Sequence, residues 1–191
     1  MPDYAILQRG DRRLHQPARA LNWPIPNPAQ ETVNAPAPAP ERQLQSLIDD
    51  LIALTLQHQG VGIAAPQVGL DQRLMIVASR PNGRYPDAPL MEPTAMVNPR
   101  LLDRSDREVG GWEGCLSVPE QRGWVRRADQ IQVEYWDRWG DRQQTRLSGF
   151  IARIFQHELD HLDGILFPER LAAGEKLLLE VEFLQCLSRT D

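Results

Sequence analysis

The pentapeptide His157-Glu158-Leu159-Asp160-His161 constrains the fold of this chain more than any other stretch. Each residue of an α-helix turns by ~100°, so two histidines four positions apart project from one side of a helix, one turn apart. Two such imidazoles can hold one metal ion. Glu158 lies on the same half of the helix, where it can reach a water molecule at that metal as a general base without being a ligand. The run at 149–161 therefore predicts a helix that carries a metal site.

A catalytic metal usually has three protein ligands and one open position, so a third ligand must come from another part of the chain. No histidine follows His161. Cys115 is one candidate, and the downstream residues Glu180 and Glu182 are the others. A free cysteine is also commonly a small buried side chain in a strand, so the residue types alone leave these alternatives open.

The residues beside Cys115 favour a ligand-binding role. They read EGCLSVP over 113–119, where Gly114 clears space beside the thiol and Pro119 is expected to end the element. Cys186 lies in an apolar run and is expected to be inert. A further segment, GVGIAAPQVG at 60–69, combines small residues with the polar amide of Gln67, which could bond a substrate carbonyl. Taken alone, this segment is a weak indication of any function.

The composition predicts one globular domain spanning 1–191. A net charge of −5 argues against a broad nucleic-acid-binding face, and sequence-specific nucleic-acid binding is not expected. Two cysteines form no disulfide framework, which favours a reduced cytosolic setting. We expect no membrane association because no apolar run approaches the length of a membrane span. No signal peptide is recognisable at the N-terminus, so the chain is expected to remain in the cytoplasm.

Periodicity predicts a mixture of helices and antiparallel strands, typical of an α+β domain. A proline-rich extended loop is expected at 24–40, a surface loop at 80–93, and a hairpin of two strands joined by the turn residues DRWGD. The last segment, 175–187, fits either a helix or a strand, with a slight preference for a helix. The predicted helices are 44–55 and 149–161, and the predicted strands are 74–78, 95–98 (ended by Pro99), 131–136 and 142–147.

Three motifs in order, GVGIAAPQVG, EGCLSVP and QHELDHLDG, resemble the peptide deformylase family, and the resemblance covers roughly residues 4 to 170. It implies antiparallel sheets packed around a central helix that carries the HExxH motif. It also implies a metal-dependent hydrolase that removes the formyl group from the N-terminal formyl-methionine of newly synthesised proteins and releases formate. The implied metal is one divalent ion, Fe²⁺ in the cell, with Zn²⁺ or Ni²⁺ as alternatives.

The resemblance assigns roles to matching positions. Glu158 is the general base, and the Gln67 side chain and the Leu116 backbone N–H bind the formyl oxygen. Arg122 lies at the rim of the cleft, although on the sequence it could equally be a solvated surface arginine. The metal ligands are Cys115, His157 and His161. The other substrate-binding residues are Gly62 and Gly114, which line the peptide cleft, and Val61, Phe150 and Ile154, which line a pocket for the methionine side chain.

The same resemblance implies that the partners are formyl-methionyl peptides of nascent chains. A transient contact with the ribosome through the C-terminal segment 171–191 is a further expectation, with 171–187 as the candidate contact. A bacterial-type cytoplasmic location follows, or an organelle matrix or stroma if a transit peptide has been removed. Three features depart from the family pattern: the long loop at 24–40, an apparent insertion at 80–93, and the bulk of Trp112 before Glu113. These leave the cleft rim and the peptide preference open.

Two other functions remain as alternatives on the sequence. One is a zinc endopeptidase in which Glu180 or Glu182 supplies the third ligand. The other is a structural metal module, or an inactive relative that binds formylated peptides without hydrolysing them.

Overall fold

We describe a computed structural model of the chain, in which residues 4–24 and 39–187 are described, with side chains from 41 to 185 in the second range. In the described ranges most of the secondary structure is antiparallel strand, with three α-helices. The helices are α1 (Ala39–Gln57), α2 (Gly149–Leu162) and α3 (Glu180–Leu187). The strands are β1 (Gly62–Ala64), β2 (Leu74–Ser79), β3 (Met91–Arg104), β4 (Glu108–Cys115), β5 (Val118–Ala128), β6 (Gln130–Trp136), β7 (Arg142–Ser148) and β8 (Leu178–Leu179).

The strands form two sheets. The larger sheet has the order β1-β2-β3-β6-β7 and the smaller has the order β4-β5-β8. Every pairing in both sheets is antiparallel. Helix α2 contacts β1, β2 and β7 of the larger sheet and β5 of the smaller one. The motif helix thus lies between the two sheets, which confirms the α+β arrangement expected around it.

Helix α1 covers one side of the larger sheet. The apolar residues predicted to share a helix face do so, since Leu44, Leu47, Ile48 and Leu51 are all buried in one core cluster together with residues of β1–β3. A second cluster joins α2 to β2, β3 and β6, around Phe155, Met75 and Met96 among others. Burial of these faces from water is what fixes both helices on the sheets.

Several predicted boundaries were wrong. The helix α1 begins at Ala39, because proline is tolerated in the first helical turn, where its missing N–H is not needed. The predicted loop at 24–40 therefore includes two helical residues, and its residues 25–38 lie outside the described part of the chain. The predicted loop at 80–93 ends at residue 90, because β3 begins at Met91. Pro93 is tolerated in this strand because the register of its pairing with β2 is irregular there.

Two prolines expected to end strands do not. Strand β3 continues through Pro99 to Arg104 because the register shifts between Val97 and Arg100, so the missing N–H of Pro99 falls at a bulge. Pro119 is the second residue of β5, and the chain instead turns at Leu116 and Ser117. Strands 74–78, 131–136 and 142–147 and the helix 149–161 are confirmed to within a residue or two.

The C-terminal segment 175–187 contains both elements that its pattern allowed. Leu178 and Leu179 pair with Arg122 and Gln121 of β5, and α3 follows. Among the described residues, no helix is long and apolar enough to cross a membrane. Cys186 lies where side chains are not described, so the prediction that it is inert stays untested.

Candidate metal centre and cleft

Three ligand-type side chains converge where β4 meets α2. The Cys115 Sγ atom and one ring nitrogen from each of His157 and His161 lie within 4.8 Å of one another. Sγ is 3.1 Å from Nε2 of His161. Helix geometry aligns the two imidazoles, and the end of β4 brings the thiol to them. One thiolate and two imidazoles suit several divalent transition metals, so the residues fit the implied ion.

Neither glutamate of the peptidase alternative belongs to this group. Both oxygens of Glu180 are bound by Arg122, and Glu182 accepts a hydrogen bond from the backbone N–H of Leu179. The carboxylates are therefore held by α3 and its neighbours, away from the two histidines. This part of the endopeptidase hypothesis was wrong.

Glu113 orients the first histidine. Its Oε2 is 2.9 Å from Nδ1 of His157, which leaves Nε2 of that ring for a ligand role. Arg127 makes two hydrogen bonds to Glu113, and Arg153 donates a third. Burial raises the pKa of Glu113, but the hydrogen bonds from His157 and Arg127 outweigh it and hold that pKa well below its usual range. Glu113 is therefore an anion at neutral pH.

The pKa values of the two histidines are shifted in opposite directions. Burial lowers the pKa of His161 well below its usual value, so this imidazole is neutral, as a metal ligand must be. Burial also lowers the pKa of His157, but its hydrogen bonds with Cys115 and Glu113 outweigh that effect and raise it.

A chain of ion pairs continues from this site into the fold. Arg127 bridges Glu113 to Asp160, and Arg170 also binds Asp160. Asp160 is the fourth residue of the motif, so the helix is also held through a side chain that does not belong to the ligand group. These pairs tie α2 to β4, to β5 and to the turn at Phe167–Arg170.

Glu158 is buried and one of its oxygens, Oε2, has no hydrogen-bond partner among the described residues. Burial raises the pKa of this carboxyl to about 7. Gly62 of β1 lies directly against it: a Cβ at Gly62 would be 2.4 Å from Oε1. Strand β1 can approach the carboxyl this closely only because residue 62 has no side chain.

The amide of Gln67 has a fixed orientation. Its Oε1 accepts a hydrogen bond from the Ala64 N–H, and its Nε2 points to Ser117 Oγ at 3.2 Å and to Cys115 Sγ at 3.4 Å. Because the Ala64 N–H can only donate, the amide oxygen must face it and the NH₂ group must face the thiol. Leu116 follows Cys115 in the turn and lines the same cleft.

The cleft beside these groups has a volume of about 660 Å³. It brings together every site residue predicted from the sequence except His161, which is buried beneath it. Those that line it are Val61, Gly62, Gln67, Gly114, Cys115, Leu116, Arg122, Phe150, Ile154, His157 and Glu158.

Arg122 is not a solvated surface residue, because only 3 % of its side chain is exposed. Its guanidinium makes two hydrogen bonds to Glu180 of α3 and one to the Tyr85 hydroxyl. A Cβ at Gly114 would be 2.2 Å from Nη1 of Arg122, so that glycine gives the guanidinium its space. The surface alternative was therefore wrong, although Arg122 does line the cleft as predicted.

The comparisons with known proteins identify the family. A family model described as polypeptide deformylase matches residues 4–177. The chain belongs to the polypeptide deformylase family. It is 55 % identical over 146 residues to peptide deformylase 2 of a Nostoc species, covering 76 % of this chain and 82 % of that one. It is 42 % identical over 168 residues to peptide deformylase 1 of Bordetella pertussis, covering 88 % and 87 %.

Solved structures of the deformylase family superpose on the same fold. The Met-Ala-Ser-bound class I type b peptide deformylase of Acinetobacter baumannii gives a TM-score of 0.76 at 44 % identity, covering 88 % of this chain and 98 % of that chain. The peptide deformylase of Thermotoga maritima gives 0.71 at 30 % identity, covering 88 % and 97 %. The chain is thus a peptide deformylase-type metallohydrolase that acts on N-terminal formyl groups, as the three motifs implied.

Sequence reasoning missed the polar residues that support the site, chiefly Glu113, Arg127 and Arg153. A signal existed for one of them. Residues 123, 125 and 127 of β5 alternate along the strand and are buried, and the last is an arginine, so charge interrupts the usual apolar spacing of a buried strand face. Buried charges of this kind need partners, and the partners lie on β4 and α2, which are separate elements.

Proposed function

We propose that this chain hydrolyses the formyl group of N-terminal formyl-methionine through a divalent metal held by Cys115, His157 and His161. One observation carries the proposal. The three ligand-type atoms lie together at a cleft that also holds a buried carboxyl, Glu158, with an unpartnered oxygen. A metal in that place would supply Lewis acidity and would lower the pKa of a water molecule for attack.

Glu158 moves the protons in this proposal. Its carboxylate accepts a proton from the attacking water as the new C–O bond forms at the formyl carbon. It then returns that proton to the amine nitrogen as the C–N bond breaks, which releases formate and a free N-terminal methionine. The unpartnered Oε2 atom is available for both transfers.

The oxygen of the formyl group becomes negatively charged during the attack. We assign its stabilisation to the Gln67 NH₂ group and to the Leu116 backbone N–H. Support comes from the hydrogen bond of Ala64, which fixes the Gln67 amide with its NH₂ group toward Cys115. Removal of one donor of this kind raises a barrier by ~3 to 4 kcal/mol.

The peptide is proposed to lie between Gly62 and Gly114 as an added strand. Val61, Phe150 and Ile154 then surround the methionine side chain, and all three line the cleft. Arg122 supports the wall beside Gly114 through its pairing with Glu180. The similar Acinetobacter enzyme was solved with Met-Ala-Ser bound, a peptide of the same class as the proposed product.

Fe²⁺ is the ion that we propose for the cell, with Zn²⁺ or Ni²⁺ as replacements. One thiolate and two imidazoles can bind all three of these ions, so the ligand types do not distinguish Fe²⁺ from Zn²⁺ or Ni²⁺. Metal analysis of protein purified without oxygen tests the choice. About one iron per chain is expected, and zinc alone, with no gain in activity on iron loading, would contradict it.

We place the reaction in the cytoplasm, with the chain acting as a single domain that transiently contacts the ribosome through 171–187. In α3, Phe183 is buried whereas Val181 is exposed, so this helix is attached by one face and offers another. Crosslinking of ribosomes with the full chain and with a chain ending at residue 174 tests the contact. Equal crosslinking of both would contradict it.

The reaction itself is tested by formate release from formyl-Met-Ala-Ser with iron-loaded protein prepared without oxygen. Cys115→Ala is expected to lose both metal and activity. Glu158→Ala should keep the metal and lose activity, because the glutamate is not a ligand. A metal-loaded, folded wild type that releases no formate would overturn the proposal.

Glu180→Gln and Glu182→Gln serve as matched controls in the same assay. Both variants should bind metal like the wild type, since neither carboxylate belongs to the ligand group. Loss of the metal from either variant would indicate that the substituted glutamate is a metal ligand, as the endopeptidase alternative requires.

A further inference from the structure

The segment 7–9, which we call the N-terminal clamp, bridges the two parts of the cleft that carry the proposed donors to the formyl oxygen. One part is the short 3₁₀ helix Ala65–Val68, which holds Gln67, and the other is the turn between β4 and β5, which holds Leu116. Three consecutive residues of the clamp each donate one hydrogen bond to these parts. The clamp therefore joins two regions that are about fifty residues apart in the chain.

The clamp holds both donor residues at their backbone carbonyls. The backbone nitrogen of Leu7 lies 2.7 Å from the carbonyl oxygen of Gln67. The side-chain Nε2 of Gln8 lies 3.3 Å from the carbonyl oxygen of Leu116. The two residues proposed to bind the formyl oxygen are thus fixed by neighbouring residues of one segment.

The turn between β4 and β5 is held at three atoms. Besides the bond from Gln8 to Leu116, the Arg9 N–H donates to the carbonyl of Ser117 at 2.7 Å, and the Ser117 N–H lies 3.4 Å from Sγ of Cys115. The common two-residue turns differ in the orientation of their central peptide. Rotation of the peptide that joins Leu116 to Ser117 would break the bonds to Gln8 and to Sγ together.

Gln8 contributes through its side chain, whereas Leu7 and Arg9 contribute backbone N–H groups, which a substitution does not remove. The Gln8 NH₂ group also donates to the carbonyl of Ile6 at 3.2 Å. Because both of its partners are carbonyl oxygens, which can only accept, the NH₂ group must face them. The side chain is exposed and lines the cleft, so changes to it should have little effect on stability.

We propose that Gln8 is a positioning residue for the hydrolysis, which holds the Leu116 carbonyl and thereby fixes the direction of the Leu116 N–H relative to the Gln67 amide. This inference rests on the proposed function, in which these two groups bind the formyl oxygen. The negative charge that they stabilise develops only during the attack. Loss of the Gln8 bond should therefore slow the chemical step without weakening the binding of the peptide.

Gln8→Glu tests the role, because it keeps the size of the side chain and replaces the NH₂ group by an oxygen that cannot donate. With formyl-Met-Ala-Ser, kcat per bound iron should fall about tenfold, less than the ~100-fold or greater loss that follows removal of a donor itself, while KM stays unchanged. Gln8→Lys should recover most of the loss, because its ammonium group can again donate to both carbonyls.

Gln16→Glu is the matched control. Gln16 is also exposed near the N-terminus, and it lies outside the set of described residues that line the cleft. This variant should keep the wild-type kcat. Amide hydrogen exchange over residues 115–118 of the Zn²⁺-loaded protein gives a second measurement, which needs no turnover. Exchange should be faster in Gln8→Glu than in Gln16→Glu, because the turn has lost one of its hydrogen bonds.

A wild-type kcat for Gln8→Glu, equal exchange in the two glutamate variants, or a Gln8→Lys enzyme as slow as Gln8→Glu would overturn the inference. So would a loss of activity that follows the metal content or Tm, because Gln8 would then only support the fold. All of these outcomes leave the proposed function intact. A folded, metal-loaded wild type that releases no formate would overturn the proposed function, and the inference with it.

Discussion

At the scale of single residues, the contact between Gly62 and Glu158 shows how the residue type at one position determines where a proposed catalytic carboxyl can lie. The carboxyl occupies the space in which any other residue at position 62 would place its Cβ atom. The carboxyl is buried and Gly62 is half-buried within a strand of the sheet, so neither can move away without disturbing β1 or α2. The absence of a side chain at Gly62 therefore allows Glu158, the proposed base, to occupy its position.

Gly62→Ala is expected to lower kcat/KM by about 100-fold, because a displacement of ~1 Å at the reacting groups has that effect. Formate release from formyl-Met-Ala-Ser measures it. Gly83→Ala is the control, since a Cβ at Gly83 meets no atom within 4 Å. Equal activity of the two variants would show that the close approach at Gly62 has no catalytic role.

Glu113 acts through another residue, by holding the His157 ring while accepting hydrogen bonds from Arg127 and Arg153. Glu113→Gln removes the charge that these three groups share. We expect the metal dissociation constant to rise 10- to 100-fold, as is usual when the group that orients a histidine ligand is altered. Titration of the apo-protein with Zn²⁺ measures the constant.

The control for that variant is Glu108→Gln, on the same strand but in an exposed ion pair with Arg126. It should leave the dissociation constant unchanged, because exposed pairs contribute little. If Glu113→Gln bound Zn²⁺ as tightly as the control, Glu113 would have no role in orienting the ligand.

At the scale of elements, α1 shows how an amphipathic helix is held by burial. Leu51 is 0 % exposed at its interface with β1 and β2, whereas Leu184 of α3 is 43 % exposed. Leu51→Ala should lower the free energy of unfolding by about 2 to 5 kcal/mol through lost burial and the cavity left behind. Urea denaturation measures the change.

Leu184→Ala carries the same chemical change at a solvated position, and its effect should stay within about 0.5 kcal/mol. A similar loss for both variants would mean that the cost arises from helix propensity and not from packing against the sheet.

For the whole molecule, a metal that binds only the folded chain should stabilise it. At a free metal concentration of about 1,000 times the dissociation constant, this linkage contributes ~4 kcal/mol. Since ~1 kcal/mol corresponds to ~2 to 4 °C for a chain of this size, chelation should lower Tm by about 10 °C.

Differential scanning calorimetry with and without a chelator measures that shift. Cys115→Ala should show little difference between the two conditions, because it has lost the thiol. A wild type with the same Tm in both would indicate that the metal contributes nothing to the stability of the fold.

Local sequence patterns predicted some elements of this fold, whereas others depend on tertiary contacts. The spacing of Leu44, Leu47, Ile48 and Leu51 located α1, and the alternation in 131–136 located β6. The hairpin of β4 and β5 was missed, because its inward positions hold Arg122, Arg127 and Glu113 in place of apolar residues. Charges there are stable only through partners on other elements, which a local pattern does not reveal.

The sequence by itself determined the relation between His157, Glu158 and His161, because helix geometry fixes side chains four residues apart. It also determined the family, through three motifs in a fixed order. Only the tertiary structure decided that Cys115, and neither Glu180 nor Glu182, meets those histidines. The physical reason is that the pairing of β4 with β5, and their packing against α2, set distances between residues far apart in the chain, which no local spacing controls.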